Sequence, residues 1–256
     1  MENNFILETN NLIKTFGGLT ATDDLSLKIN KQELRGIIGP NGAGKTTLFN
    51  LISGYYTPDK GEIIFDGDVI TSFSPDKVVK KGIGRTFQKI RIMENTKVIN
   101  YLKTAFFDNI NYNIFDVLFK TERFVKEENK IEERALELLN LFNIEDLADK
   151  KIDELAYGEQ RRASICRALA LNPKILLLDE PTAGLNIKET DDIVNLVLDI
   201  KEKFDLTILI IEHDMKVIMD ICDQITAIHQ GTVLAEGPPR QIQNNERVVE
   251  SYLGGN

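Results

Sequence analysis

A glycine-rich loop that ends in lysine and threonine carries the strongest chemical signal in the sequence. Residues 39–46 read G-P-N-G-A-G-K-T and fit the pattern G-x-x-x-x-G-K-[ST]. Gly42 and Gly44 let the backbone curl so that its N–H groups point inward at phosphate oxygens. Lys45 is placed to reach the β- and γ-phosphates, and Thr46 to offer its hydroxyl to Mg²⁺. An apolar run precedes the loop and a predicted helix follows it, so this segment predicts a nucleotide triphosphate site.

Two adjacent acids follow a short apolar run later in the chain. Residues 175–178 are isoleucine and leucine, and Asp179 and Glu180 come directly after them. A continuous apolar run is typical of a strand buried on both faces, which puts Asp179 at the carboxyl edge of a sheet, where ligands bind. Asp179 would hold Mg²⁺ through water, and Glu180 would polarise the water that attacks the γ-phosphate. The alternative is a pair of solvated acids at a strand end.

The elements that must position these residues follow from the hydrophobic pattern. Strands and helices alternate in the last part of the chain, which implies a mostly parallel sheet with helices on both faces. Asp66 and Gly67 form a strong hairpin signal, and Asn186 with Glu189 has the spacing of a capping box. Helices are predicted at 46–52, 158–171 and 187–203, and strands at 5–9, 25–29, 34–38, 62–65, 68–70, 175–179, 206–211, 224–229 and 232–235.

Residues 97–154 suit helices rather than strands. Within 127–142, apolar residues recur at helical spacing on an otherwise charged segment, which predicts one buried stripe. Many aromatic residues lie between Tyr101 and Phe124. They form either a small helical core or a surface that meets an apolar partner. The predicted stripe consists of Ile131, Ala135, Leu138, Leu139 and Phe142.

Composition narrows the classes of function. Lys and Arg number 31 against 40 Asp and Glu, so the net charge is -9, and that sign argues against a nucleic-acid partner. No apolar run is long enough to cross a bilayer, and the N-terminus lacks the layout of a signal peptide. Cys166 and Cys222 have neither a disulfide nor a metal spacing. Arg161, Arg162 and Arg167 are expected on a solvated helix face with ion pairs.

The order of motifs along the chain resembles that of an ATPase subunit of an ABC transporter. Gln88 ends the segment R-T-F-Q, like the family's Q-loop, and residues 155–160, L-A-Y-G-E-Q, stand where the family has its signature motif. Residues 181–186, P-T-A-G-L-N, resemble the D-loop, and 211–215, I-E-H-D-M, the switch-histidine segment. The resemblance covers nearly the whole chain. It implies an α/β fold with a P-loop NTPase (RecA-like) core, an antiparallel β subdomain and an inserted helical subdomain.

The resemblance also implies where the domains and the reacting groups lie. The nucleotide-binding core would comprise 1–88 and 155–238, the helical subdomain 89–154, and a helical tail 239–256. The catalytic residues implied are Lys45, Gln88, Glu180 and His213, the Mg²⁺ ligands implied are Thr46, Gln88 and Asp179, and the residues implied to contact ATP are Phe16, Gly39, Pro40, Asn41, Gly42, Ala43, Gly44, Lys45, Thr46 and Thr47. Phe16 would stack on adenine, and its alternative role is core packing.

The signature segment implies a second subunit. Gly158 is expected to begin a helix, whose unpaired N–H groups and dipole favour an anion. The family implies that this anion is the γ-phosphate held by another ATPase subunit, identical or paralogous, in a head-to-tail dimer. Ala156 stands in place of the usual serine, and Asn186 in place of the usual D-loop aspartate. The residues of this half-site are Leu155, Ala156, Tyr157, Gly158, Glu159 and Gln160.

The L-A-Y-G form of the signature resembles the one in the ATP-binding proteins of branched-chain amino-acid importers. That likeness implies ATP and Mg²⁺ as cofactors, two membrane permeases, an extracytoplasmic solute-binding protein as an indirect partner, and a peripheral place on the cytoplasmic face of the membrane. A soluble ABC ATPase of iron–sulfur assembly is the main alternative. The stretch 89–154 is too short for the long coiled-coil insertion of a repair ABC protein. A translation ABC protein would carry two cassettes, whereas this sequence has one. A regulatory nucleotide-binding module is opposed by the intact Asp179, Glu180 and His213.

Overall fold

The computed structural model describes residues 4–86, 95–109 and 112–253, and it divides the chain into two compact units. One unit contains 1–85 and 173–256, and the other 86–172. The strands are β1 Phe5–Phe16, β2 Leu19–Asn30, β3 Leu34–Ile38, β4 Lys60–Phe65, β5 Asp68–Val69, β6 Ile83–Arg85, β7 Ile175–Asp179, β8 Thr207–Ile211, β9 Gln224–His229 and β10 Thr232–Gly237.

Helices account for most of the remaining regular structure. Short 3-10 helices lie at Thr104–Asn109, Glu145–Leu147 and Ile152–Glu154. The α-helices are α1 Lys45–Ile52, α2 Pro75–Lys81, α3 Val98–Lys103, α4 Ile114–Phe119, α5 Glu122–Leu141, α6 Tyr157–Ala170, α7 Ile187–Lys203, α8 Met215–Ile221, α9 Pro239–Gln243 and α10 Glu246–Leu253. No helix within the described ranges has the length and apolar character that a membrane crossing requires.

The larger unit is built on two sheets. One has the order β10-β9-β3-β8-β7-β6, and all its neighbouring pairs are parallel except β9 with β10. The other has the antiparallel order β2-β1-β4-β5. Buried side chains from both sheets and α1, among them Leu7, Ile37, Phe49, Phe65 and Leu177, share one apolar core. The predicted mostly parallel sheet and the antiparallel β part are therefore confirmed.

Several local predictions agree with these elements. The turn between β4 and β5 has positive φ at both Asp66 and Gly67, the backbone that a tight two-residue hairpin requires. Asn186 caps α7, since its Oδ1 accepts from the backbone N–H of Glu189 at 3.0 Å. The Glu189 carboxylate in turn accepts from the Asn186 backbone N–H at 3.0 Å, so the predicted capping box is confirmed.

The smaller unit is helical. The predicted stripe of α5 is confirmed, because Ile131, Ala135 and Leu139 are buried along one side of the helix. The aromatic residues of this region divide into two groups. Tyr101 and Phe106 are buried, whereas every described side chain of α4 is exposed or half-exposed, including its two phenylalanines. Neither sequence alternative, a helical core or an apolar surface, therefore describes the whole set.

The expectation of a solvated arginine face on α6 is wrong for Arg161, whereas Arg162 and Arg167 are half-buried. Arg161 is only 3% exposed, its guanidinium carbon lies 4.9 Å from the ring centroid of Tyr157, and its Nη2 donates to the Tyr157 hydroxyl at 2.6 Å. Arg167 lies over Tyr101 in the same way, at 5.1 Å. Arginine stacks readily on aromatic faces because its planar guanidinium is weakly hydrated. Arg161 is thus buried against Tyr157, and Arg167 is half-buried over Tyr101.

Candidate active site

The glycine-rich loop has the strand–loop–helix setting that the sequence predicts. It runs from the end of β3, which is buried along its whole length, to Lys45 at the start of α1. Gly42 and Gly44 have φ of 80° and 104°, values that side chains with a Cβ rarely adopt. A Cβ on Gly44 would also lie 2.3 Å from the backbone oxygen of Ala21. Glycine is therefore needed at 44 for both conformation and space.

Replacement of these two glycines should separate backbone strain from steric conflict. Gly42→Ala has no atom within 4 Å of the new methyl group, so we expect it to lower the free energy of unfolding by about 1–2 kcal/mol, the cost of a left-handed residue. Gly44→Ala should cost about 1–3 kcal/mol more, because the loop must also move away from Ala21. Urea unfolding of both variants measures the difference, and equal free energies would contradict this account of Gly44.

Lys45 is buried at the base of the loop. Its Nζ donates to the carbonyl oxygens of Gly39 at 2.6 Å and Pro40 at 2.9 Å. Burial lowers the pKa of this ammonium from its ordinary value, while the carboxylates of Glu180 and Asp179 act in the opposite direction. The contacts show that one strong cation is held among the backbone carbonyls of the loop and near two acids. Such a group is suited to compensate the charge of a bound phosphate.

Asp179 ends β7 and is tied to the helix that follows the loop. Its Oδ2 accepts from Nη2 of Arg85 at 3.1 Å. Nη1 of the same arginine donates to Asn50 Oδ1 at 2.8 Å and to Ser53 Oγ at 2.7 Å, both on or directly after α1. Burial lowers the pKa of Arg85, and Asp179 opposes that shift. Arg85 belongs to the segment R-T-F-Q, but its ion pair with Asp179, 94 positions away, is not predictable from that segment.

Glu180 and His213 come from the ends of neighbouring strands and meet through their side chains. Glu180 Oε1 lies 2.8 Å from His213 Nε2. The strands are in parallel register, with Asp179 opposite Ile211, so the residues that follow each strand emerge side by side. Glu180 has a φ of 48°, a left-handed conformation that is uncommon for a residue with a side chain and often occurs at functional sites. The structure thus brings together Glu180, predicted to activate the attacking water, and His213, predicted to hold the γ-phosphate.

The fold places the other predicted site residues in different environments. Phe16 is exposed at the end of β1 and packs edge-on against Tyr56, with ring centroids 5.1 Å apart, so it is not buried in the core. Lys14 Nζ lies 5.6 Å from the same ring centroid. Thr46 is exposed on α1, whereas Thr47 is half-buried. Gln88 lies outside the described residues.

The signature segment, which belongs to the helical unit, forms the start of α6. The helix begins at Tyr157, one residue before the predicted Gly158. Glu159 explains the difference, because its carboxylate accepts from the backbone N–H of Ala156 at 2.9 Å and so stabilises the N-terminus one residue earlier. Gln160 Nε2 donates to the Leu155 carbonyl at 2.9 Å. The segment is therefore an ordered helix N-terminus.

The oxygen ligands present suit Mg²⁺ held together with a nucleotide. Among residues 4–86, 95–109 and 112–253, no group of three or more His, Cys, Asp or Glu side chains is arranged to hold a metal. Mg²⁺ bound with a nucleotide needs no such group, because it takes one or two carboxylates and completes its shell with phosphate oxygens and water. Asp179 supplies a carboxylate, and Thr46 a hydroxyl at the start of α1. A hard-oxygen site of this composition fits Mg²⁺ with a nucleotide better than a permanent transition-metal site.

Comparison with known proteins decides the family. The family model described as ABC transporter matches residues 22–183. The chain belongs to the ABC transporter family. A second model, described as branched-chain amino acid ATP-binding cassette transporter, matches residues 232–256, a range that includes the whole tail 239–256.

Named relatives cover almost the full length of the cassette. It is 43% identical to the high-affinity branched-chain amino acid transport ATP-binding protein BraF of Pseudomonas aeruginosa, over 97% of this chain and 98% of the relative. It is 40% identical to LivG of Escherichia coli K12 over the same shares. A crystal structure of an ATP-binding cassette in its ADP conformation has a TM-score of 0.85 at 34% identity, and covers 98% of this chain and 100% of that one. These likenesses favour the importer type over the iron–sulfur alternative.

Proposed function

We propose that this cassette hydrolyses ATP and that the hydrolysis powers a branched-chain amino-acid importer. One observation carries the proposal. Lys45 in the glycine-rich loop, and Asp179 and the Glu180–His213 pair at the strand ends, lie in the same unit of a P-loop fold. Two relatives, at 43% and 40% identity, are ATP-binding proteins of branched-chain amino acid transport, which supports the substrate class.

The residues divide the chemistry between them. Phosphoryl transfer to water depends mainly on position and charge compensation. Lys45 would release its loop carbonyls and bind the β- and γ-phosphates, while N–H groups of residues 42–47 would surround the phosphate oxygens. Glu180 would orient the attacking water and accept its proton. His213, in contact with Glu180, would donate a hydrogen bond to the γ-phosphate.

Mg²⁺ would be held by Thr46 and Asp179, with Gln88 as a third proposed ligand. When bound, it compensates charge on the phosphates. Arg85 keeps Asp179 in position through its ion pair and its bonds to Asn50 and Ser53. The chain's own contribution is therefore a carboxylate whose orientation is fixed by an ion pair with Arg85.

A second cassette would complete the site. The start of α6, residues 155–160, would meet the γ-phosphate bound by the partner through backbone N–H groups, because Ala156 lacks the hydroxyl of the usual serine. Each subunit would so contribute one loop and one signature segment in a head-to-tail dimer. Dimeric ABC cassettes are known among the structural neighbours, one at 26% identity with a TM-score of 0.78. The dimer would bind two permeases at the cytoplasmic face of the membrane, and a solute-binding protein would act from the other side.

A transport assay tests this function. The complex purified through a tag on this chain should contain membrane permeases. In liposomes with its solute-binding protein, it should accumulate radiolabelled leucine, isoleucine or valine only when ATP is supplied on the cassette side. Glutamate serves as the control solute and should not accumulate. Purification without any membrane protein, or accumulation that does not depend on ATP, would contradict the proposal.

A further inference from the structure

Glu212 is a buried carboxylate beside the Glu180–His213 pair to which sequence reasoning assigned no role. It follows β8 directly and is 3% exposed. Isolated buried carboxylates are costly unless hydrogen bonds compensate the charge. Burial raises the pKa of Glu212, and its hydrogen bonds to Thr182 and His213 oppose the shift. The groups that bond to Glu212 are therefore the ones whose positions this carboxylate can fix.

The two oxygens of Glu212 hold two different segments. Oε1 accepts from both the backbone N–H and the hydroxyl of Thr182, each at 2.7 Å. Oε2 accepts from the backbone N–H of His213 at 3.2 Å. Thr182 lies two residues after Glu180, and it is itself buried. The carboxylate thus joins the backbone after one member of the pair to the backbone of the other.

These bonds close a ring around the reacting groups. The ring runs from the Glu180 side chain to the His213 ring at 2.8 Å, along the His213 backbone to Glu212, across to Thr182, and back through Pro181 to Glu180. A closed ring of hydrogen bonds restricts both partners of the pair, and it adds to the bond from the Glu180 backbone N–H to the Ile211 carbonyl at 2.9 Å. Because misplacement of a catalytic group by about 1 Å can cost 10²-fold in rate, such restriction bears directly on turnover.

We propose that Glu212 is a positioning residue that fixes the Glu180–His213 pair and links it to residues 181–186. This inference rests on the proposed function, since it assigns Glu212 a task only if Glu180 and His213 act on ATP. Residues 181–186 resemble the D-loop and would face the second cassette. A movement of that segment is therefore transmitted to His213 through one carboxylate. No contact of Glu212 with the nucleotide is required.

Graded substitutions test the role of each oxygen. Glu212→Ala removes all three bonds and should lower kcat about 10- to 100-fold. Glu212→Gln keeps one carbonyl oxygen for Thr182 but cannot accept from His213 with its amide nitrogen, so its kcat should lie between those of the parent and Glu212→Ala. Thr182→Val removes only the hydroxyl donor and should have the smallest effect. For all three, the KM for MgATP and the affinity for a fluorescent ATP analogue should stay within twofold of the parent values.

The matched control is Glu33, another buried glutamate of the same unit. It lies just before β3, at the edge of the sheet opposite the site, and accepts from the backbone and side-chain nitrogens of Asn30 at 3.0 and 2.7 Å. Glu33→Gln should lower stability without a change in kcat. Turnover is measured in the full transporter and divided by the number of nucleotide-binding sites, so that loss of folded protein does not count as loss of rate.

The outcomes separate this inference from the proposed function. Parent kcat in Glu212→Ala, or a raised KM with unchanged kcat, overturns the positioning role. A fall in kcat for Glu33→Gln equal to that for Glu212→Gln overturns it as well, because the effect would then be general to buried carboxylates. If Glu180→Gln retains parent turnover in the same assay, the proposed function of Glu180 is wrong. Loss of turnover in Glu180→Gln with parent turnover in Glu212→Ala removes only the inference.

Discussion

Glu180→Gln is expected to bind MgATP with at least the affinity of the parent and to lose turnover by about 10²- to 10⁴-fold, the range for removal of a general base. Glutamine has nearly the same shape and keeps an oxygen for the contact with His213 Nε2, which is 2.8 Å in the parent. It cannot accept the proton of the attacking water. We therefore expect the affinity for MgATP to be kept while the turnover falls, which is the kinetic result for a group that acts mainly in the transition state.

The measurement is phosphate release at saturating MgATP together with equilibrium binding of a fluorescent ATP analogue. Glu202→Gln is the control, because Glu202 is an exposed acid on α7, and it should leave both quantities unchanged. Turnover by Glu180→Gln at the parent rate would show that another group activates the water. Loss of both binding and turnover would show that Glu180 supports the nucleotide site rather than the reaction.

Lys45→Ala is expected to weaken ATP binding by about 10- to 100-fold, because a hydrogen bond to a charged group contributes about 1.5–3 kcal/mol. Its Nζ is bonded to the carbonyls of Gly39 and Pro40, and the same ammonium would bind the β- and γ-phosphates. The loss should be larger for ATP than for AMP, which has no such phosphates. Adenine contacts, including the one proposed for Phe16, should be unaffected.

Titration of the variant with ATP, ADP and AMP analogues measures this difference. Lys77→Ala on α2 provides the matched lysine control, since Lys77 is exposed, and it should bind all three nucleotides as the parent does. Thermal unfolding establishes that Lys45→Ala is folded at the temperature of the titration. Unchanged ATP affinity in the folded variant would contradict the phosphate-loop interpretation and, with it, the proposed function.

Local patterns accounted for much of the fold and of the candidate site. The run 175–178 predicted a buried strand with Asp179 at its edge, and β7 ends at that residue. The signals at Asp66-Gly67 and Asn186 were sufficient because a hairpin turn or a helix cap depends on a few adjacent residues. The prediction for Arg161 failed because exposure depends on what packs against a helix, and the charge of a side chain does not reveal an aromatic partner such as Tyr157.

The sequence by itself determined which residues could do chemistry: the glycine loop, the acids after an apolar run and the order of motifs. Those features are local, because each reflects what one backbone segment must do. Only the tertiary structure decided that Glu180 meets His213, that Arg85 holds Asp179 and that Glu212 joins Thr182 to His213. Each of these contacts joins residues from different strands or their ends, so each depends on the register of β6, β7 and β8. Strand register is set by packing of the whole sheet, and no short segment of the chain contains it.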